Sequence, residues 1–126
     1  MAQHDLAVEL VERVFCTRNY AHRAHLGTRS YAEHMALGDF YEGVIDLIDN
    51  FIESYQGAFG LLKSEEEAED QEEIGDEDIL KTLQEDVRWI SKNRSKVARE
   101  IPALENILDE IVGFYLRTIY KLRFLS

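Results

Sequence analysis

The residues of this chain with most chemistry to offer are its histidines and a series of carboxylates behind them. His22 and His25 are three apart, so on a helix they share a face. His34 follows His22 by twelve residues. Asp49 and Glu53 come later, four apart and therefore one helical turn from each other. With His34 at the zero of a helical wheel, Asp49 falls near 60°, Glu42 near 80° and Glu53 near 100°, at about 100° per residue. The apolar face occupies roughly −100° to 20° on the same wheel. One histidine and three carboxylates thus border the buried stripe, where partial cover is expected. Asp46 and Asp39 point further out and read as surface charges. A mixed imidazole and carboxylate set suits first-row metals such as iron or manganese. The same residues also serve as interface polar groups paired with Arg18, Arg23 or Arg29, and periodicity alone does not separate the two readings.

Four segments of helical periodicity must position these groups. The first runs over about 4–24, with Leu6, Leu10 and Val14 recurring beside Val11 and Phe15. Gly27 and Thr28 interrupt it, and Ser30 with Glu33 reads as a capping box for a long second helix over about 31–60. Tyr41, Val44, Ile45, Ile48, Phe51, Ile52 and Tyr55 form its apolar face. An acidic connection over about 63–76 follows, and Asp76, Glu77 and Asp78 suit the start of a third helix over about 77–98. That helix carries Ile79, Leu80, Leu83, Val87, Ile90 and Val97 inward. Pro102 opens a fourth over about 102–124. Tight joints within each pair and a long joint between the pairs are what an all-α four-helix bundle with one crossover requires, the ferritin-like arrangement. A single domain over residues 1–126 is expected.

Composition narrows the classes. Of the 126 residues, 45% are hydrophobic and 31% charged, as in a globular domain with one core. The net charge of −11 argues against DNA binding, which depends on Lys and Arg neutralising phosphates. No run of about 18 apolar residues exists to span a bilayer, and the opening residues show no secretory pattern. A lone cysteine, Cys16, forms no internal disulfide and reads as a small buried hydrophobe. Cytoplasmic residence is the expectation. Trp89 reads as core. No Gly-rich phosphate loop, Cys-x-x-Cys pair or Ser–His–Asp set stands out.

The run His22-Arg-Ala-His-Leu-Gly-Thr-Arg-Ser-Tyr-Ala-Glu-His34, followed by Asp46-Leu-Ile-Asp49-Asn-Phe-Ile-Glu53, resembles the Dps family of starvation-type mini-ferritins over about residues 18–60. The chain also looks like short Dps-like proteins of tailed phages. In that family two histidines twelve apart are followed by carboxylates four, fifteen and nineteen residues beyond the second. The resemblance implies a catalytic and metal-binding set of His22, His34, Asp49 and Glu53, with iron as the metal or another first-row divalent ion. It implies a site shared between two chains, the histidines from one and the later carboxylates from the other. No Glu-x-x-His motif of within-chain di-iron bundles is present. It further implies a homo-oligomer, a dodecamer built from two-fold dimers, that oxidises ferrous iron, sequesters it and limits oxidative damage.

One position departs from the pattern. The carboxylate expected four residues after His34 falls at Gly38, and Glu42, one turn further on, is the candidate replacement in the metal set. Loss of that ligand leaves a second function open: a catalytically inactive ferritin-like bundle acting as an assembly or interaction module.

Overall fold

The computed structural model describes residues 3–62 and 78–125, with side chains from Asp5 onward. The acidic connection expected over 63–76, Asp76 included, and Glu77 after it lie outside the described residues. Four helices make up the described chain: α1 (Gln3–Gly27), α2 (Tyr31–Phe59), α3 (Ile79–Ala98) and α4 (Pro102–Phe124). No helix among the described residues is long and apolar enough to cross a membrane.

Local chemistry sets the boundaries. Ser30 caps α2, its hydroxyl accepting from the Glu33 amide at 3.1 Å. The return bond of the expected capping box is made by a different residue, since the Ser30 amide donates to the Thr28 hydroxyl at 3.1 Å. Asp78 caps α3 and does not lie in its first turn; its carboxylate accepts from the Leu80 amide at 3.1 Å. Between α3 and α4 the chain turns through Arg99 and Glu100, at φ 53° and 61°, and Pro102 starts the next helix without needing an amide hydrogen.

The neighbouring helix pairs are α1 with α2, α2 with α4, α4 with α3, and α3 with α1. This leaves α2 and α3 on a diagonal. The Arg99 guanidinium at the end of α3 lies 3.9 Å over the Phe59 ring at the end of α2. Both helices therefore finish at the same end of the bundle and run parallel. Lys121 on Asp39 at 3.7 Å, together with Phe114 against Gly43, shows α4 running antiparallel to α2. A Cβ on Gly43 would lie 2.6 Å from the tip of the Phe114 ring, so a glycine is what permits α2 and α4 to approach there.

The core holds the expected stripes and one group that the expectations omitted. Leu10, Val14, Leu37, Phe40, Val44, Ile48, Phe51, Tyr55, Leu83, Ile90, Leu108, Ile111 and Tyr115 are all buried. Full burial of one such side chain contributes about 1.5–3 kcal/mol, more than the roughly 0.7 kcal/mol over which ordinary residues differ in helix propensity. Leu37 and Phe40 extend the apolar face of α2 towards its start. Cys16 is only half-buried, and burial raises its thiol pKa. Trp89 packs against the core with the Arg13 guanidinium 4.8 Å from its ring centre.

Asp86 sits in the middle of the inward stripe of α3, 3% exposed. Its Oδ2 accepts from the Thr17 hydroxyl at 2.5 Å and the Tyr115 hydroxyl at 2.7 Å, while Arg13 reaches Oδ1 at 3.4 Å. One carboxylate thus joins α1, α3 and α4. Burial pushes its pKa up, and the bonds from Thr17, Tyr115 and Arg13 only partly offset this. A carboxyl whose folded pKa lies above its unfolded value contributes stability that is complete below the unfolded value, near 3.8, and is lost as pH rises through the folded one. Asp86→Asn, which cannot ionise, should therefore gain stability relative to the parent as pH rises from about 4 towards 7. Asp86→Ala strands two buried hydroxyls and should cost on the order of 2–4 kcal/mol. Urea unfolding at several pH values checks both, and a pH-independent difference between the Asn variant and the parent would refute the first.

Candidate functional site

The turn between α1 and α2 brings two histidines into a reciprocal clasp. His25 Nδ1 lies 2.6 Å from the backbone carbonyl of His34, and His34 Nδ1 lies 2.9 Å from the backbone carbonyl of His25. The two rings stack at 3.8 Å with their planes 18° apart. The His25 carbonyl belongs to the last turn of α1, where helix carbonyls have no partner within their own helix, so the clasp also closes that helix end. A carbonyl only accepts. Each Nδ1 must therefore carry the proton, and in the tautomer this selects the lone pair is on Nε2. This is the tautomer that metal-ligating histidines adopt when a backbone carbonyl orients them.

His22 lies one turn before His25, and its ring stacks on Tyr41 at 4.0 Å and 8°. His25 is 6.4 Å from His22 and 5.3 Å from Tyr41, measured between ring centres. Arg18 closes the outer side, donating to the Tyr41 carbonyl at 3.3 Å with its guanidinium 5.4 Å from the Tyr41 ring centre. The structure thus gathers His22 and His34, both expected at the site, and adds His25. The signal for His25 was its spacing from His22, but its partner across the turn is a tertiary contact.

The carboxylates are elsewhere. Fifteen residues of α2 separate His34 from Asp49 and nineteen separate it from Glu53, about 22 and 28 Å at 1.5 Å per residue. No single chain with a straight α2 brings these groups onto one ion. Among the described residues no three His, Cys, Asp or Glu side chains converge in a metal-binding group. Glu42, Asp49 and Glu53 are exposed, which corrects the expectation of partial cover. Their sector borders the buried stripe, but within this chain neither α1 nor α4 shields it. Asp39 is taken up by Lys121 on the surface.

Position 38 has its own explanation. A Cβ on Gly38 would stand 3.0 Å from Cε1 and 3.2 Å from Nδ1 of His25. The imidazole of His25 fills the space into which a side chain at 38 would grow. Glu42 does not fill it.

The sequence profile of a family of unknown function, DUF5856, matches residues 25–122. The chain is also similar to an uncharacterised 14.6 kDa protein of the mobD–ri intergenic region of Enterobacteria phage T4. The two are 29% identical over 116 residues, covering 92% of this chain and 87% of that one. No solved structure matches.

Glycine within a helix ordinarily costs about 1 kcal/mol relative to alanine. Gly38→Ala should fail to deliver that gain, because the new methyl displaces the His25 ring from the His34 carbonyl. Thermal unfolding together with imidazole nitrogen spectra should reveal the exchange. A gain of about 1 kcal/mol with the His25 resonances unmoved would refute the steric coupling.

Proposed function

The chain belongs to DUF5856, a family of unknown function, and we propose that it is a ferritin-like, Dps-type bundle that takes ferrous iron as substrate at a site shared between two chains. The observation that carries this reading is the pair of imidazoles held with Nδ1 on backbone carbonyls and Nε2 left for a metal. The order of the helices, with α2 and α3 parallel on a diagonal, supports the ferritin-like topology.

The distance between histidines and carboxylates supports the second chain. Two α2 helices crossing antiparallel about a two-fold axis near Glu42 and Gly43 bring His34 of each chain opposite Asp49 and Glu53 of the other. The same operation carries the exposed Leu26, Tyr31 and Met35 at one end of the α1–α2 face towards the groove at its other end. That groove is lined by Val8, Val11, Phe15, Ile52 and Leu62. An isologous contact of this kind covers apolar surface that water otherwise wets.

In the proposed reaction two ferrous ions each give up one electron, and hydrogen peroxide takes both together with two protons to leave two water molecules. The carboxylates stabilise the ferric product, and His22 and His34 hold the ferrous substrate. A dodecameric shell that sequesters the oxidised iron is the assembly this family reading implies. The alternative, a bundle kept as an assembly module without oxidation, is favoured by the missing carboxylate at Gly38 and the exposure of Glu42, Asp49 and Glu53.

Anaerobic ferrous titration should show saturable binding in the parent chain and none in His34→Ala or Glu53→Ala alone. Co-assembling the two variants should restore sites, because a mixed pair holds one intact half from each chain. Ferric absorbance after peroxide addition then reports oxidation. Binding that the mixture fails to recover would overturn the shared site, and recovery without ferric absorbance would favour the module.

A further inference from the structure

Position 38 is where the carboxylate pattern breaks, and the space beside it is occupied by a residue with its own metal chemistry. The His25 ring lies within 3.0 Å of where a Cβ at 38 would be. Its Nδ1 is committed to the His34 carbonyl, which leaves Nε2 as its donor atom. We propose that His25 is a metal ligand that replaces the absent carboxylate, so that this end of the site is built from the imidazoles of His22, His25 and His34. The inference rests on the shared metal site proposed above and identifies the ions that site prefers.

Geometry separates the roles of the rings. An imidazole binds a metal in its own ring plane. The planes of His25 and His34 are nearly parallel and 3.8 Å apart, so one ion does not lie in both. The two rings therefore serve different ions. His22 is the nearest imidazole partner for the ion on His25, with ring centres 6.4 Å apart. Two imidazoles on one tetrahedral ion stand about 5 Å apart between centres, given metal–nitrogen bonds of about 2.1 Å. The two rings as placed are wider apart than that, and a shared ion requires them to move closer together.

Exchanging a carboxylate for an imidazole removes one negative charge beside the ion. A neutral nitrogen set favours zinc, cobalt, nickel and ferrous ions and gives less support to the ferric state. His25 is thus a specificity-determining ligand, and its presence slows oxidation relative to a site with a carboxylate at 38.

Cobalt(II) reads this directly, because each ligated imidazole whose Nδ1 carries a proton gives its own hyperfine-shifted exchangeable resonance. The assembled parent protein should bind cobalt and show such a resonance for His25 as well as for His22 and His34. His25→Gln keeps a donor for the His34 carbonyl; it should lose the His25 resonance and one bound cobalt per chain while the His34 resonance and the helical circular dichroism persist. A second variant, His25→Ala combined with Gly38→Asp, should regain the ion without the imidazole resonance and oxidise ferrous iron with peroxide faster than the parent. If His25→Gln binds as many ions with unchanged resonances, His25 is not a ligand and the shared site stands without it. A parent chain that binds no cobalt and no ferrous iron overturns the shared site and this inference together.

Discussion

The bundle turns on a carboxylate that has been taken out of water. Asp86 accepts from Thr17 on α1 and Tyr115 on α4 and is itself carried by α3, so three of the four helices converge on its two oxygens. Ionising a group at 3% exposure is costly, and its partners reduce that cost only when the three helices hold one rotation and one register. A slip of one residue in α3 turns Asp86 by about 100° and leaves two buried hydroxyls without an acceptor. An apolar residue would pack there without demanding any such alignment. Buried polar groups of this kind restrict the arrangements a core accepts. Here the restriction places α3 beside both α1 and α4, which leaves α2 diagonal to it.

From that arrangement the features of the α1–α2 face follow. With α3 and α4 occupying one side of the first hairpin, its other side carries the histidines, the carboxylate sector of α2 and the apolar groove near Ile52. The hairpin is closed at its turn by imidazoles bonded to opposing carbonyls, so the stacking that joins the helices also fixes where each ring keeps its lone pair. Structure and candidate chemistry share the same atoms there. Farther along, α2 is a rod of 29 residues, and its length holds His34 apart from Asp49 and Glu53. The chain therefore carries its histidine cluster and the carboxylates Asp49 and Glu53 at separate places on one face.

Helix order and boundaries were largely legible because they are local. Pro102 marks the start of α4, Ser30 that of α2, and the apolar periods delimit what lies between. The first helix continues past Ala24 to Gly27 because a glycine near a helix end costs little and the clasp rewards the extra turn. Asp86 was also legible in principle, since it falls seven residues after Ile79 and four before Ile90, within the inward stripe. A polar residue at such a position is easily passed over when only apolar ones are counted. The relation between His25 and Gly38 was not legible. It joins two helices across a turn, and the helical wheel of α2 that pointed to Glu42 contains no information about what α1 places beside it.

That contact changes what the glycine means. Read along α2 alone, Gly38 is a gap in the carboxylate pattern that the resemblance implies. In the folded chain the space beside it is taken by the His25 ring, so the proposed metal site would exchange a carboxylate on α2 for an imidazole from α1. The two positions are sterically linked, because a side chain at 38 requires the His25 ring to shift. The bundle would thereby keep its topology, its turn and its histidine spacing while the charge around an ion in the proposed site shifts by one unit. In the proposed site that one unit would act on an ion moving between two and three positive charges, and so on whether the metal is held or also oxidised.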